Sequence, residues 1–118
     1  GQLGNGTTSS AFLTLTTVAG DAQTWERLAA GGKHSCGIAA GALYCWGDNA
    51  DLELGSAASE PVLTPTGITD DFGDWEDLTL GFSSSCGLRQ GRLYCWGSGS
   101  VSCSGYQSTS IPKEIILR

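Results

Sequence analysis

Trp25-Glu26-Arg27-Leu28, Ser35-Cys36-Gly37 and Leu43-Tyr44-Cys45-Trp46-Gly47 belong to one stretch that decides the fold, because it is written twice. A shift of 50 residues lays it on Trp75-Glu76-Asp77-Leu78, Ser85-Cys86-Gly87 and Leu93-Tyr94-Cys95-Trp96-Gly97, with 13 of the 23 positions from Trp25 to Gly47 identical. Self-similarity at such a period marks a repeat architecture. The flanking segments repeat more loosely: Leu3-Gly4 and Leu54-Gly55 lie 51 apart, and Gly105 follows Gly55 by 50. The chain therefore reads as a single repeat region, 1–118, with units at about 1–51 and 52–101 and a partial unit at 102–118.

Within a unit, Trp25 to Ala30, Ser35 to Ala39 and Ala42 to Trp46 combine β-favouring residues with glycines at their ends, the pattern of short strands. Pro61 to Ile68 has the composition of an edge strand. Asp48 to Gly67 and Ser98 to Ser110 are otherwise rich in Gly, Ser, Thr, Asp and Asn and read as connections. The 18 glycines, the lack of Met and the absence of any long apolar heptad agree with an all-β chain. With 40% hydrophobic and 15% charged residues the sequence is not of the disordered class.

Ala40-Gly41 and Gln90-Gly91 sit midway between the cysteines of each unit. A two-residue hairpin turn there sets Cys36 opposite Cys45 and Cys86 opposite Cys95. Counting outward from the closing pair Ala39 and Ala42 places the cysteines at a non-hydrogen-bonded position, where Cα atoms approach closely enough for a disulfide. Closing a loop of about ten residues contributes about 2.5–3 kcal/mol in the chain-entropy model. Neither Ala40 nor Gln90 suits the positive φ of a type I′ turn, and a four-residue loop keeps the same register. Zinc is the competing reading, but eight residues inside each cysteine pair exceed the spacing of a thiolate knuckle. Paired cysteines imply an oxidising, extracellular compartment. Cys103 is then left for an interchain bridge or a partner outside the given sequence, the alternative being a buried thiol. Asn5-Gly6-Thr7 is an N-glycosylation acceptor triplet, so Asn5 is the site of any attached glycan.

A net charge of −6 with six scattered Lys and Arg offers no basic stripe for nucleic acid. The longest apolar run, Ile38 to Gly47, is too short to cross a bilayer, so no membrane insertion is expected. No signal peptide is recognisable, and Gly1-Gln2-Leu3-Gly4 begins inside the repeat pattern, as in an excised or processed piece. His34 is the sole histidine and leaves no catalytic set. Asp48, Asn49, Asp51 and Glu53 crowd oxygens into one loop without the spacing of an EF-hand, so a solvated loop is the plainer reading than a calcium site. Asp70, Asp71, Asp74, Glu76 and Asp77 read as an exposed acidic connection that could steer a basic partner. Trp25, Trp46, Trp75 and Trp96 recur in register, which favours packing over a sugar-binding platform. No phosphate loop, metal site or cofactor is expected.

Trp25 through Asn49, with Gly31-Gly32-Lys33-His34-Ser35-Cys36 and Gly41-Ala42-Leu43-Tyr44-Cys45-Trp46-Gly47-Asp48-Asn49, resembles the repeat of the regulator of chromosome condensation family, and so does Gly1-Gln2-Leu3-Gly4. The resemblance implies a β-propeller of four-stranded antiparallel blades, here about two blades and a remnant. The cysteine-bearing variant looks like secreted bacterial members and the ectodomains of crinkly-type plant receptor kinases. Departures are Ser84 in place of His34, Glu53-Leu54-Gly55 for the Gln-Leu-Gly element, and its decay to Cys103-Ser104-Gly105. The function this implies is non-catalytic: protein interaction or assembly of a surface or filamentous structure, with other copies of the chain or further blades as partners. Inhibition of a secreted enzyme and nucleotide exchange on a small GTPase are the alternatives the resemblance carries.

Overall fold

The computed structural model describes residues 1–8, 18–19, 24–56, 60–68, 73–98 and 109–116. Eight strands form two separate four-stranded antiparallel sheets, and no helix occurs among the described residues. The first sheet runs in order β1 (Trp25–Ala30), β2 (His34–Ala39), β3 (Ala42–Gly47), β4 (Val62–Gly67). The second repeats it with β5 (Trp75–Leu80), β6 (Ser84–Arg89), β7 (Arg92–Gly97), β8 (Thr109–Glu114). Each sheet is a blade, and β5 packs across β1 and β2 so that the blades stack.

The hairpin register holds in both blades: Cys36 is the Cα partner of Cys45, and Cys86 of Cys95. Each pair lies at disulfide distance with Cα atoms 4.1 Å apart, as at a non-hydrogen-bonded antiparallel pair. The turns are the two-residue type after all. Ala40 and Gly41 take φ of 51° and 76°, and Gln90 and Gly91 take 49° and 73°. The first residue of each turn thus accepts a left-handed conformation that its side chain disfavours, because the flanking strands twist in the sense only such a turn continues.

Alternation along the strands gives each blade two chemically distinct faces. One carries His34, Cys36, Ile38, Leu43 and Cys45. The other carries Ser35, Gly37, Tyr44 and Trp46, with Trp25 lying across it. Trp25 meets Tyr44 edge-on and Trp46 at a tilt, both at 5.7 Å between ring centroids, and Trp75 repeats this against Tyr94 and Trp96 at 5.7 and 6.0 Å. This explains the glycine of Ser-Cys-Gly. A Cβ on Gly37 would stand 2.7 Å from the Trp25 ring, and one on Gly87 2.6 Å from Trp75. The tryptophan lies flat on backbone that only glycine leaves bare.

The fourth strands were less legible. β4 fills the expected edge segment, but β8 begins inside residues read as a connection and falls within the stretch assigned to a partial third unit. It is instead the outer strand of the second blade, pairing Lys113 with Cys95 as β4 pairs Thr66 with Cys45. Sequence units and blades are out of phase, since β4 follows Leu54-Gly55 in the chain yet completes the first blade. Pro65 and Pro112 occupy the same place in their outer strands, where a missing N–H leaves no inner ladder bond unmade.

Candidate interaction surfaces

The core lies between the blades. The cysteine face of the first blade (Cys36, Ile38, Leu43, Cys45) meets Trp75 and Trp96 from the tryptophan face of the second, with Leu54 and Ile68 closing the side. A polar seam runs through this apolar contact. Ser85 Oγ donates to the Glu53 carbonyl at 2.7 Å, and Trp96 Nε1 donates to the same oxygen at 2.9 Å. His34 Nε2 lies 2.8 Å from Ser85 Oγ, whose one proton is already committed, so the imidazole donates through Nε2. Burial pulls His34 below its ordinary pKa, against the upward pull of the Ser84 backbone and the Asp48 carboxylate. Its Nδ1 finds no hydrogen-bond partner among the described residues. Both His34 and Ser85 are enclosed. A serine sealed from solvent with its proton on a carbonyl is a structural latch and not a nucleophile poised for substrate.

The latch recurs at the start of the chain. Ser35 Oγ and Trp46 Nε1 donate to the Gln2 carbonyl at 3.0 and 2.8 Å. Gly4 and Gly55, two residues after each latching carbonyl, have φ of 65° and 75° and lie against the indole nitrogens of Trp46 and Trp96. A Cβ on Gly4 would strike the indole at 2.7 Å and one on Gly55 would crowd it at 3.1 Å, and either would strain the backbone. The Gln-Leu-Gly and Glu-Leu-Gly elements therefore present one carbonyl to the Ser and Trp of the adjoining blade.

Three side chains of the acidic loop accept hydrogen bonds from the loop's own backbone. Asn49 Oδ1 accepts from Leu54 N, Asp48 Oδ1 from Ala50 N and Glu53 Oε2 from Asp51 N, at 2.9, 3.2 and 2.9 Å. These bonds shape the turn that delivers the Glu53 carbonyl. Burial drives the Glu53 carboxyl above its ordinary pKa, with Asp48 and Asp51 adding to the rise and the Glu53 and Asp51 backbone amides opposing it. Among the described residues no group of three His, Cys, Asp or Glu is arranged to hold a metal ion. Of the second acidic cluster, Asp74, Glu76 and Asp77 bond to Gln90, the Gln90 amide and the Leu78 amide; Asp70, Asp71 and Cys103 lie outside the described residues. Asn5 Oδ1 accepts from the Thr7 amide and hydroxyl at 3.1 and 2.8 Å, a local turn at the acceptor triplet.

Two faces remain open. On the second blade, Leu88 is 37% exposed where its counterpart Ile38 is 0%. Asp77, Thr79, Cys86, Leu88 and Leu93 line a shallow apolar depression of about 240 Å³ there. On the first blade, Leu28 is 65% exposed, Trp25 is half-buried where Trp75 is enclosed, and Leu3 is 44% exposed where Leu54 is 2%. The bonds of the latch were not foreseen from the sequence. Their signal was the recurrence of Ser35 and Ser85 before each first cysteine, together with Gly4 and Gly55.

Two stacked four-stranded antiparallel blades define a β-propeller segment. Solved structures share this fold. The chain is similar to the crystal structure of human WBSCR16, with a TM-score of 0.72 and 20% identity over 86% of this chain and 28% of that one. It is also similar to Prp20p from Saccharomyces cerevisiae, at 0.73 and 22% over 85% of this chain and 27% of that one. Yeast RCC1 (Prp20) bound to Kap60 aligns at 0.72 and 22%, over 85% and 26%. The chain thus spans little more than a quarter of each of these structures, and the likeness is one of fold. No protein-family model matches the sequence, and no curated protein does.

Proposed function

We propose that the chain is a segment of an extracellular propeller of the regulator of chromosome condensation repeat type, acting through protein contacts and not through catalysis. The observation that carries this reading is the pair of open, chemically distinct sheet faces, apolar enough to dock protein. The cysteine pairs, each at 4.1 Å between Cα atoms, support the bridges Cys36 to Cys45 and Cys86 to Cys95 and hence an oxidising compartment. Protein partners also agree with the similar yeast structures, whose descriptions name Gsp1p, histones and Kap60.

The test is alkylation and intact-mass analysis of protein from its natural source, before and after reduction. Protection of Cys36, Cys45, Cys86 and Cys95 until reductant is added is the expected result. Four freely alkylated cysteines would remove the extracellular premise and return attention to nucleotide exchange inside the cell. Binding to a secreted enzyme is a variant of the same reading, separated from assembly by a pull-down against secreted material.

A further inference from the structure

We infer that the contact between the two blades is a proton-operated junction: in mildly acidic solution His34 takes up a proton at Nδ1, and the blades loosen from one another there while each keeps its own sheet. Both sides of this junction lie within the chain, so the device is independent of whatever flanks the two blades and of the protein-interaction reading above. His34 is the sole histidine and is 1% exposed, at the boundary where the first blade meets the second. Its Nε2–H is committed to Ser85 Oγ at 2.8 Å, and Ser85 in turn donates its proton to the Glu53 carbonyl. The remaining nitrogen, Nδ1, is a buried acceptor with no hydrogen-bond partner among the described residues. Gly31 stands against it so closely that a Cβ there would lie 2.7 Å from Nδ1 and 2.6 Å from the Gly81 carbonyl of the second blade. The ring is thus held at the junction itself, with one basic nitrogen left over.

Protonation disrupts the contact because of what faces the ring. From the first blade, Asp48 follows β3, and its carboxylate favours the charged imidazole. From the loop between the blades, Glu53 turns its backbone carbonyl to Ser85, while its carboxylate accepts from the Asp51 amide. From the second blade come the Ser84 backbone and the Ser85 hydroxyl. Burial outweighs the help of Ser84 and Asp48, so a proton on Nδ1 sets a charge without an acceptor inside an enclosed contact, whereas in the opened junction water solvates it. Relief comes most readily between the blades. Each blade is laddered within its own sheet and has its own cysteine pair at disulfide distance. The backbone bonds described across the junction are Gly32 N to the Gly81 carbonyl at 3.3 Å and Trp75 N to the Gly41 carbonyl at 3.1 Å, one beyond each end of β2. Ser84 stands at the equivalent position of the second unit and does not titrate, so the device is written into one unit and not the other.

NMR on the full chain tests the junction, because the one histidine reports its own protonation without ambiguity. His34 is expected to titrate below 6.5. Over the same range, hydrogen-exchange protection is followed for the Gly32 and Trp75 amides and for the Trp96 indole N–H, which donates to the Glu53 carbonyl. Corrected for intrinsic exchange, it is expected to fall by up to about tenfold per pH unit, while the amides of the β2–β3 and β6–β7 hairpins keep theirs. His34→Gln retains a side-chain donor for Ser85 but does not titrate, and is expected to lack this loss. Glu53, whose own pH dependence runs the other way, is common to both proteins and cancels in the comparison. Three results would overturn the device: junction protection that moves only together with the hairpins, a His34→Gln chain that loses it as steeply as wild type, or a His34 that titrates at or above 6.5. If His34→Gln does not fold, the wild-type chain decides alone. Loss of junction protection must then follow the titration of His34, and a histidine that stays neutral until the hairpins also open ends the proposal.

Discussion

The two blades share the repeated residues from Trp25 to Gly47 and from Trp75 to Gly97, yet position by position they experience different surroundings. Ile38 and Leu43 are wholly enclosed, while Leu88 and Leu93 face an open depression. Trp75 is sealed against the first blade, while Trp25, lying on its own sheet, is only half-buried. The lesson is that a blade's fold is local, whereas its burial is set by its neighbour. A propeller blade hides each of its faces only by docking to another.

The largest effect expected to divide the blades is core truncation. Ile38→Ala should destabilise by about 2–5 kcal/mol, the range for deleting an enclosed aliphatic side chain. Leu88→Ala should lose less than about 1 kcal/mol, since a partly exposed site leaves no dry cavity. Urea denaturation at a concentration where the chain is monomeric checks both, and equal losses would erase the asymmetry. Next come the glycines beneath the tryptophans. Gly87→Ala should be destabilising by about 1–3 kcal/mol, and Gly37→Ala by less, because Trp25 has solvent to move into and Trp75 does not. Thermal unfolding of the two variants ranks them.

Two predictions sharpen the comparison at the polar seam, where the blades differ in charge. His34 has a folded-state pKa lowered by burial, so the unfolded chain binds the extra proton more readily. Its contribution is fully present above the ordinary value of about 6.5 and is lost as pH falls from there toward the folded value. His34→Ser, which copies Ser84, should flatten the decline in stability between about pH 7 and pH 5. Glu53 is the opposite case. Its raised pKa favours folding only while the carboxyl is protonated, an advantage lost as pH rises through the folded value. Glu53→Gln, which copies Gln2, should raise the melting temperature at pH 7, and the gain should fade as pH falls through the folded value and be gone by about pH 4.5. The smallest expected effect lies at the turns. Ala40→Asn relieves an alanine at φ 51° and should stabilise by about 0.5–1 kcal/mol, with the unchanged Gln90 turn as the internal reference.

Much of this was legible beforehand. Strand positions, hairpin register and the face-to-face cysteines follow from a period-two side-chain pattern and a turn of two residues, both local constraints. The turn type was harder to read, because Ala40 and Gln90 oppose their own propensity and yield to strand twist. β8 was hidden for a simpler reason. Pro112 follows Pro65 by 47 residues and not by 50, so the shift that aligns the inner strands misaligns the outer ones. The latch was hidden because its acceptor is a backbone carbonyl, and a carbonyl has no letter in the sequence. Glu53 and Gln2 are different residues that supply the same atom.

By itself the sequence determined the unit: its repeat, its inner strands, and which cysteines can meet across a hairpin. These depend on contacts between residues a few strands apart. Only the tertiary structure decided which of two nearly identical faces is core and which is surface, and that the Glu53 carbonyl joins Ser85 and Trp96 within the blade contact. The physical reason is that apolar burial is a relation between blades. Identical letters acquire different energies when one copy has a neighbour and the other does not.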